Sequence, residues 1–260
     1  MSRLIGQLME ALLRNAWITV DGLGEKVRGF CTTRHHGVSA APFDSLNLGD
    51  HVGDDPTHVQ ANRERLAQWL PAAPVWVRQV HGKTVLMADG ASSSPPVEAD
   101  AIVSTTPGQV LGILTADCMP VVIANDAGTV LGVAHAGWRG LASGVLQATL
   151  SAMVQKAGPI GAWRAWIGPC IGREAFEVGD DVREAFVALD PVLGDFFFKR
   201  AAPHKWSCDL AAIAKNRLLG LGATSVVFCG LCTAEDPGRR FFSYRRDGQT
   251  GRMATVAWLI

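Results

Sequence analysis

Three residues able to bind a metal or carry nucleophilic chemistry, His81, Cys118 and His135, each stand where an apolar run is interrupted or stops. Two of them lie in residues 111–140, LGILTADCMPVVIANDAGTVLGVAHAGWRG. Its two apolar runs, separated by the turn-rich ANDAG, predict neighbouring strands joined by a short reversal. Cys118 falls between the first run and Pro120, and His135 closes the last run ahead of Gly137, where a helix can begin. His81 ends the β-branched run PVWVRQVHG and precedes Gly82, a residue suited to chain reversal or close backbone approach. A strand end aims such side chains while the following loop leaves room for a ligand. One thiolate and two imidazoles suit zinc, and three protein ligands leave a fourth position for water or substrate, as in catalytic sites. The same donors would hold copper, which raw affinity favours.

Residue types alone leave another reading open. A cysteine in an apolar strand is often a small buried hydrophobe, and a single histidine is often a hydrogen-bonded structural residue. Ligands this far apart along the chain have no diagnostic spacing.

Longer motifs narrow the choice. VRQVHG, TADCMPV, AHAGWRG and FFSYRRDGQTGRMA resemble the signatures of the YfiH-type family, called both polyphenol oxidase (laccase-like) and purine nucleoside phosphorylase. FCTTRHHGVSAAPFDSLNLGDHVGDDP, NRERL and IGPCIGREAFEVGDDV resemble it too, so the likeness runs from about residue 28 onward. The resemblance implies a metal held by His81, Cys118 and His135, and a single layered α/β/β/α domain over residues 1–260. One departure is His36 before Gly37, where the family pattern leads one to expect a pair of glycines.

With 260 residues, 48% hydrophobic, the chain is long enough for a full core. Lys plus Arg equals Asp plus Glu at 24 each, which leaves no electrostatic footprint for nucleic acid or an anionic membrane. A small-molecule partner is expected. No run of 18 apolar residues occurs, and Glu10 and Arg14 interrupt what would have to be an export signal. Residues 1–20 read instead as a short amphipathic or added segment, and a cytoplasmic location is expected. Six cysteines do not suggest a disulfide scaffold.

Alternating strands and helices with at least one hairpin predict α/β architecture with mixed sheets. A strand at Val27 to Thr32 leads into a long Gly, Ser, His and Asp-rich loop, where Arg34 and Asn47 could face a ligand while His51 and His58 read as surface residues. Asp55-Pro56 marks a helix start, with an apolar face running to Leu70. ASSSPP at 91–96 reads as a surface loop. Residues 139–157 read as one helix whose free N–H groups could meet an anion, with Trp138 as packing and Arg139 as brace or contact. AWRAWIG is a predicted strand, CDLAAIAKNRLLGLG a helix capped by Asp209, and TSVVFCG a buried strand. Cys170 reads as a buried small residue. Cys229 and Cys232 form a single C-x-x-C without the second pair that a structural zinc site needs. Arg245 and Arg246, read on a strand, would point to opposite faces, so one could meet phosphate or carboxylate while the other pairs with an acid.

Four readings of function compete. The resemblance implies a metal-dependent purine nucleoside phosphorylase acting on adenosine, inosine, guanosine or methylthioadenosine, with adenosine deaminase activity and zinc, or copper, as cofactor. Its other name implies copper-dependent phenol oxidation; seven histidines without an H-x-H pair speak against a three-copper cluster, and Met119 should point away from Cys118. Without a metal, Cys118 and His135 could be nucleophile and base of an amide hydrolase, in keeping with the family's link to cell-wall precursor editing. A non-catalytic metal or redox module is the fourth, and an open coordination position argues against it.

Overall fold

The longest apolar runs become the central strands of two facing sheets. A computed structural model of the protein describes residues 17–88 and 96–260; the amphipathic segment and most of the ASSSPP loop expected from the sequence lie outside these. In chain order the first strands are β1 (Trp17–Thr19) and β2 (Val27–Thr32), followed by α1 (Pro56–Ala67), β3 (Val85–Met87), β4 (Ala101–Ser104), β5 (Leu111–Thr115), β6 (Met119–Asn125) and β7 (Leu131–Ala136). Then come α2 (Trp138–Ser143), α3 (Val145–Ala157), β8 (Trp163–Ile167), β9 (Glu177–Gly179), α4 (Asp180–Val187), β10 (Phe197–Lys199) and β11 (Lys205–Cys208). The chain closes with α5 (Leu210–Gly220), β12 (Ser225–Phe228), α6 (Tyr244–Asp247) and β13 (Met253–Leu259).

A six-stranded mixed sheet has the order β12-β8-β6-β7-β4-β3, a four-stranded antiparallel sheet the order β1-β2-β13-β5, and a small third sheet the order β10-β11-β9. Period-two alternation divides the apolar side chains of the large sheet between two cores. Met119, Val121 and Ile123 pack with Leu146, Met153, Phe186 and Ile213 of the helices. Val122, Val133 and Trp166 face Ile113, Met253 and Ala257 of the second sheet. The outer face of the second sheet packs Phe30 and Val256 against Leu66 of α1. The layers are therefore helix, sheet, sheet, helix, as expected, and among the described residues no helix is long and apolar enough to cross a membrane.

Local chemistry accounts for several boundaries. The β6–β7 reversal is closed by Asn125, whose Oδ1 accepts from Thr129 N at 2.9 Å and Val130 N at 3.2 Å. Asp55 caps α1 through Thr57 N, and Asp209 caps α5 through Ala212 N, contacts each worth about 1 kcal/mol. His36 adopts φ 72°, the left-handed region in which glycine is the easier residue.

Six expectations are corrected. LGILTADCMPVVIAN is not one run: Ala116, Asp117 and Cys118 carry the chain from β5 in the second sheet to β6 in the first. The PVWVRQVHG segment is extended but makes only isolated bridges, at Val75 and Arg78. Helix 139–157 is broken at Gly144, whose φ of 96° ends α2 before α3 begins. β12 lies at the edge of its sheet, with only Val226 of its four residues buried, and α1 stops at Ala67 rather than Leu70. Arg245 and Arg246 lie on the short helix α6, capped by Ser243, because a Gly-rich turn rather than a strand follows them.

Candidate active site

A buried carboxylate that sequence reading missed organises the three predicted donors. Asp100 is fully buried immediately before β4. Its Oδ1 accepts from His81 N at 2.9 Å, and its Oδ2 accepts from Gly82 N at 2.7 Å and Val80 N at 3.2 Å. Three successive N–H groups wrapped on one carboxylate turn the chain sharply, and His81 takes φ 60° there. The same Oδ1 lies 2.8 Å from His135 Nδ1, and the Asp100 carbonyl accepts from His135 N at 2.7 Å. A carboxylate acceptor places the imidazole proton on Nδ1 and leaves Nε2 as the free donor atom.

Cys118 is presented by the passage between the sheets. Asp117 precedes it with φ 83°, a conformation asparagine and aspartate tolerate better than other residues bearing a side chain. The Asp117 carboxylate accepts from Thr233 Oγ1 at 2.6 Å and Arg245 N at 2.7 Å, and its carbonyl accepts from Ile171 N at 2.9 Å. These three ties fix the backbone that carries the sulfur. Cys118 Sγ lies 3.7 Å from His81 Nε2, and the His81 and His135 rings meet edge-on with centroids 4.8 Å apart. Gly137 leaves the space they need: a Cβ there would lie 2.9 Å from Cys118 Sγ and 3.1 Å from His81 Cδ2.

Electrostatics couples the group. Burial alone would raise the Cys118 thiol, but the charge of His135 and hydrogen bonds from both histidines outweigh it and bring it down to about 6. Burial alone would lower His135, but the Cys118 thiolate and the Asp100 carboxylate raise it to about 9. Burial likewise opposes ionisation of Asp100, and its hydrogen bonds from His135, Gly82 and Val80 prevail and hold it below the ordinary carboxylate range.

The donors suit a metal ion. Candidate ligand atoms of His81, Cys118 and His135 all lie within 4.8 Å of one another, the one such group of His, Cys, Asp or Glu among the described residues. Tetrahedral zinc, with bonds of about 2.3 Å to sulfur and about 2.0 Å to nitrogen, needs sulfur and nitrogen about 3.5 Å apart. The 3.7 Å separation is close to that, and the carboxylate behind His135 is the usual support for a ligating imidazole. One trio of donors does not provide for a multi-copper cluster.

A cleft of about 380 Å³ opens onto the trio. Gln79, Leu114 and Thr115 line it together with Ile171, Phe176, Tyr244, Arg245, Arg252 and the exposed His51. Gln79 fixes β5 by bonding both the N–H and the carbonyl of Leu114 at 2.7 Å.

The other predicted contact residues separate. Arg245 lines the cleft, with Nη1 on the carbonyls of Ala175 and Glu177. Arg34 is not among the lining residues: it pairs with Asp44 at 2.9 Å and covers the Phe242 ring. Arg246 pairs with Asp247 at 2.6 Å and bonds the Thr233 and Phe241 carbonyls. Asn47 is fully buried and spends its amide on Gly49, Asp54 and the Arg252 N–H. Cys170 is buried beside Cys232 on a parallel bridge, and Met119 belongs to the core on the far side of its strand. Asp100 and Asp117 escaped notice because their roles depend on partners far along the chain. Arg252 lies within FFSYRRDGQTGRMA, where nothing in its local sequence sets it apart from the other arginines.

Residues 28–260 match the family described as multi-copper polyphenol oxidoreductase laccase. The chain is 47% identical over 246 residues to a protein of Pseudomonas aeruginosa named purine nucleoside phosphorylase, covering 94% of this chain and 99% of that one. It is 48% identical over 231 residues to the Escherichia coli protein named purine nucleoside phosphorylase YfiH, covering 88% and 92%. The solved structure of the Neisseria meningitidis protein NMB0706 superposes with a TM-score of 0.86 at 41% identity, over 94% of this chain and 99% of the other. That of the Bacillus licheniformis hypothetical protein YfiH gives 0.84 at 30% identity, over 90% and 93%.

Proposed function

Since the chain belongs to the multi-copper polyphenol oxidoreductase laccase family, whose relatives here bear the name purine nucleoside phosphorylase, we propose that it is a metal-dependent purine nucleoside phosphorylase. Its substrates would be adenosine, inosine, guanosine or methylthioadenosine, converted with phosphate to free base and ribose 1-phosphate, and it would also deaminate adenosine. The observation that carries this reading is the meeting of His81, Cys118 and His135 at a cleft that also bears arginines. These three residues would hold zinc, or copper. A metal bound there supplies Lewis acidity and lowers the proton affinity of a coordinated water.

The chain's own groups do the rest. Asp100 keeps the proton of His135 on Nδ1 and so keeps Nε2 directed at the trio. Phe176 and Tyr244 offer aromatic faces against which a purine can lie. Positive charge in the cleft offsets the negative charge of hydrogen phosphate, one oxygen of which bonds to C1′ as the bond from C1′ to the purine nitrogen breaks and the base leaves carrying the proton that phosphate gives up. Elemental analysis of the purified protein, combined with phosphate-dependent release of hypoxanthine from inosine, tests the proposal. One equivalent of metal with base release proportional to phosphate is expected; phenol oxidation on copper addition with no effect of phosphate would replace this reading by the oxidase one.

A second reading has its own support. The order Cys118, His135, Asp100 is also that of a thiolate, its imidazole and the carboxylate that orients it. Amide hydrolysis, as in editing a cell-wall precursor, then follows from metal-free protein, and activity surviving chelation while needing Cys118 would favour it.

A further inference from the structure

We propose that Arg252 holds the phosphate in this cleft, an assignment that rests on the phosphorylase reading for the identity of the anion. Arg252 lines the same cleft as Cys118 and His135. Its Nη1 donates only to carbonyls of its own turn, Thr250 at 2.9 Å and Gly251 at 3.0 Å. Among the described residues no carboxylate forms an ion pair with it, whereas the comparably sheltered Arg34, Arg240 and Arg246 each pair with an aspartate. Burial holds its guanidinium below the ordinary value, and the charges of Cys118 and Asp117 offset only part of that. Asp117 is already engaged by Thr233 and Arg245. A half-buried cation with no carboxylate beside it to form an ion pair is costly unless a ligand provides the counter-charge.

The position of Arg252 is also built. Its N–H donates to Asn47 Oδ1 at 2.9 Å, and its carbonyl accepts from Leu48 N at 3.1 Å. Its stem lies over Gly49, where a Cβ would come within 2.7 Å of Cγ. The loop predicted to supply ligand contacts through Arg34 and Asn47 thus acts by aiming a residue of the C-terminal motif. Thr115 is the second observation. It lines the cleft, is 1% exposed, and its hydroxyl has no hydrogen-bond partner. A guanidinium fork and a hydroxyl are complementary to phosphate oxygens, which accept several hydrogen bonds at once. Arg245 is less suited, being exposed and with its Nη1 drawn onto the Ala175 and Glu177 carbonyls of a distant segment, whereas the carbonyls that Arg252 meets belong to its own turn.

The test compares wild type with Arg252→Gln, Arg252→Lys, Thr115→Val and, as a control away from the cleft, Arg34→Gln. Steady-state kinetics of inosine cleavage give KM for phosphate and for inosine separately, and calorimetry of the metal-loaded protein gives affinity for inorganic phosphate alone. R252Q should raise KM for phosphate about 10- to 100-fold, the range for a lost hydrogen bond to a charged group, with KM for inosine changed less than about twofold. R252K should fall between, because it keeps charge but not the fork. T115V should show a smaller rise and R34Q none. A phosphate KM unchanged in R252Q, or an equal rise in both KM values, overturns the assignment while leaving the phosphorylase reading intact. Wild type that releases no base with phosphate defeats that reading instead; the calorimetry then decides the anion site alone, and phosphate binding that is absent or survives R252Q overturns it. Should R252Q fail to fold, wild-type crystals soaked in phosphate decide: an anion against Arg252 supports the assignment, and one elsewhere, or none, defeats it.

Discussion

Replacing Asp100 by Asn changes one atom of the site and should disable it through a proton. The two oxygens of Asp100 accept from four donors: Oδ1 from His81 N and His135 Nδ1, Oδ2 from Val80 N and Gly82 N. An amide has only one acceptor atom, so its NH₂ must face one of these pairs. Facing Val80 and Gly82 leaves two backbone N–H groups opposed by donors. Facing His81 and His135 opposes only one, because an imidazole can change tautomer and a peptide N–H cannot. The second arrangement should win, and it moves the His135 proton from Nδ1 to Nε2, the atom needed for the metal. Loss of such a supporting carboxylate typically lowers metal affinity about 10- to 100-fold, and one orphaned buried N–H costs about 1–3 kcal/mol. Competition with a chromogenic chelator measures the first, urea unfolding of the metal-free protein the second, and ¹⁵N chemical shifts of His135 report the tautomer. D100N that binds metal like wild type with His135 still protonated at Nδ1 would refute the argument.

Cys118→Ala removes the only sulfur donor of the trio, and both metal retention by elemental analysis and phosphate-dependent inosine turnover should fall to background. Gly137→Ala would place a methyl 2.9 Å from Cys118 Sγ and 3.1 Å from His81 Cδ2; metal affinity should drop at least about tenfold, with stability lowered by about 1–3 kcal/mol, as chelator competition and urea unfolding would show. In metal-free protein the rate of Cys118 alkylation by iodoacetamide should be half-maximal near pH 6 rather than pH 9, because the thiol is drawn down to about 6 by His135. His135 is raised from 6.5 to about 9 while Cys118 is lowered from 9 to about 6, so between pH 6.5 and 9 the metal-free folded protein holds an imidazolium and a thiolate where the unfolded chain holds a neutral imidazole and a thiol, and the stabilisation His135 loses as pH rises is matched by what Cys118 gains; denaturant midpoints should stay level from pH 7 to 9, and a slope of either sign would show that the two groups do not titrate as a pair.

Much of the scaffold could be read from sequence because its signals are local. The strand Val27–Thr32, the β6–β7 hairpin, the Asp55 and Asp209 caps and the mixed-sheet α/β class follow from alternation, turn residues and capping, while the layering is implied by the family resemblance alone. The interruption at Ala116–Cys118 could not be recognised so readily, since apolar residues on both sides suit a buried strand and only tertiary pairing shows that they join different sheets. Gly144 was hidden for a related reason: apolar periodicity continues past it, while its φ of 96° stops the helix. At the site, the chemically distinctive donors His81, Cys118 and His135 stood out, and the structure brings them together. Asp100 acts across 19 residues to His81 and 35 to His135, distances at which no sequence pattern survives. Arg34 and Arg246 looked equally suited to an anion; what separates them from Arg252 is a neighbouring aspartate in each case.

The sulfur rides on the three-residue bridge by which the chain changes sheets, and the two imidazoles are anchored to the six-stranded layer through Asp100. Cys118 abuts Met119, which pairs with Ala136 beside His135, so sliding one layer over the other would act on the triangle of donors by pulling the sulfur through Ala116 and Asp117, the end of the bridge tied to the second sheet. Ile113 and Val122, which meet in the dry interior between the layers, are thus part of the apparatus that sets ligand spacing, although neither lines the cleft. Remodelling that interior with side chains of a different size should retune the affinity for the ion before it unfolds the sandwich, making the metal a gauge of how the two sheets are seated.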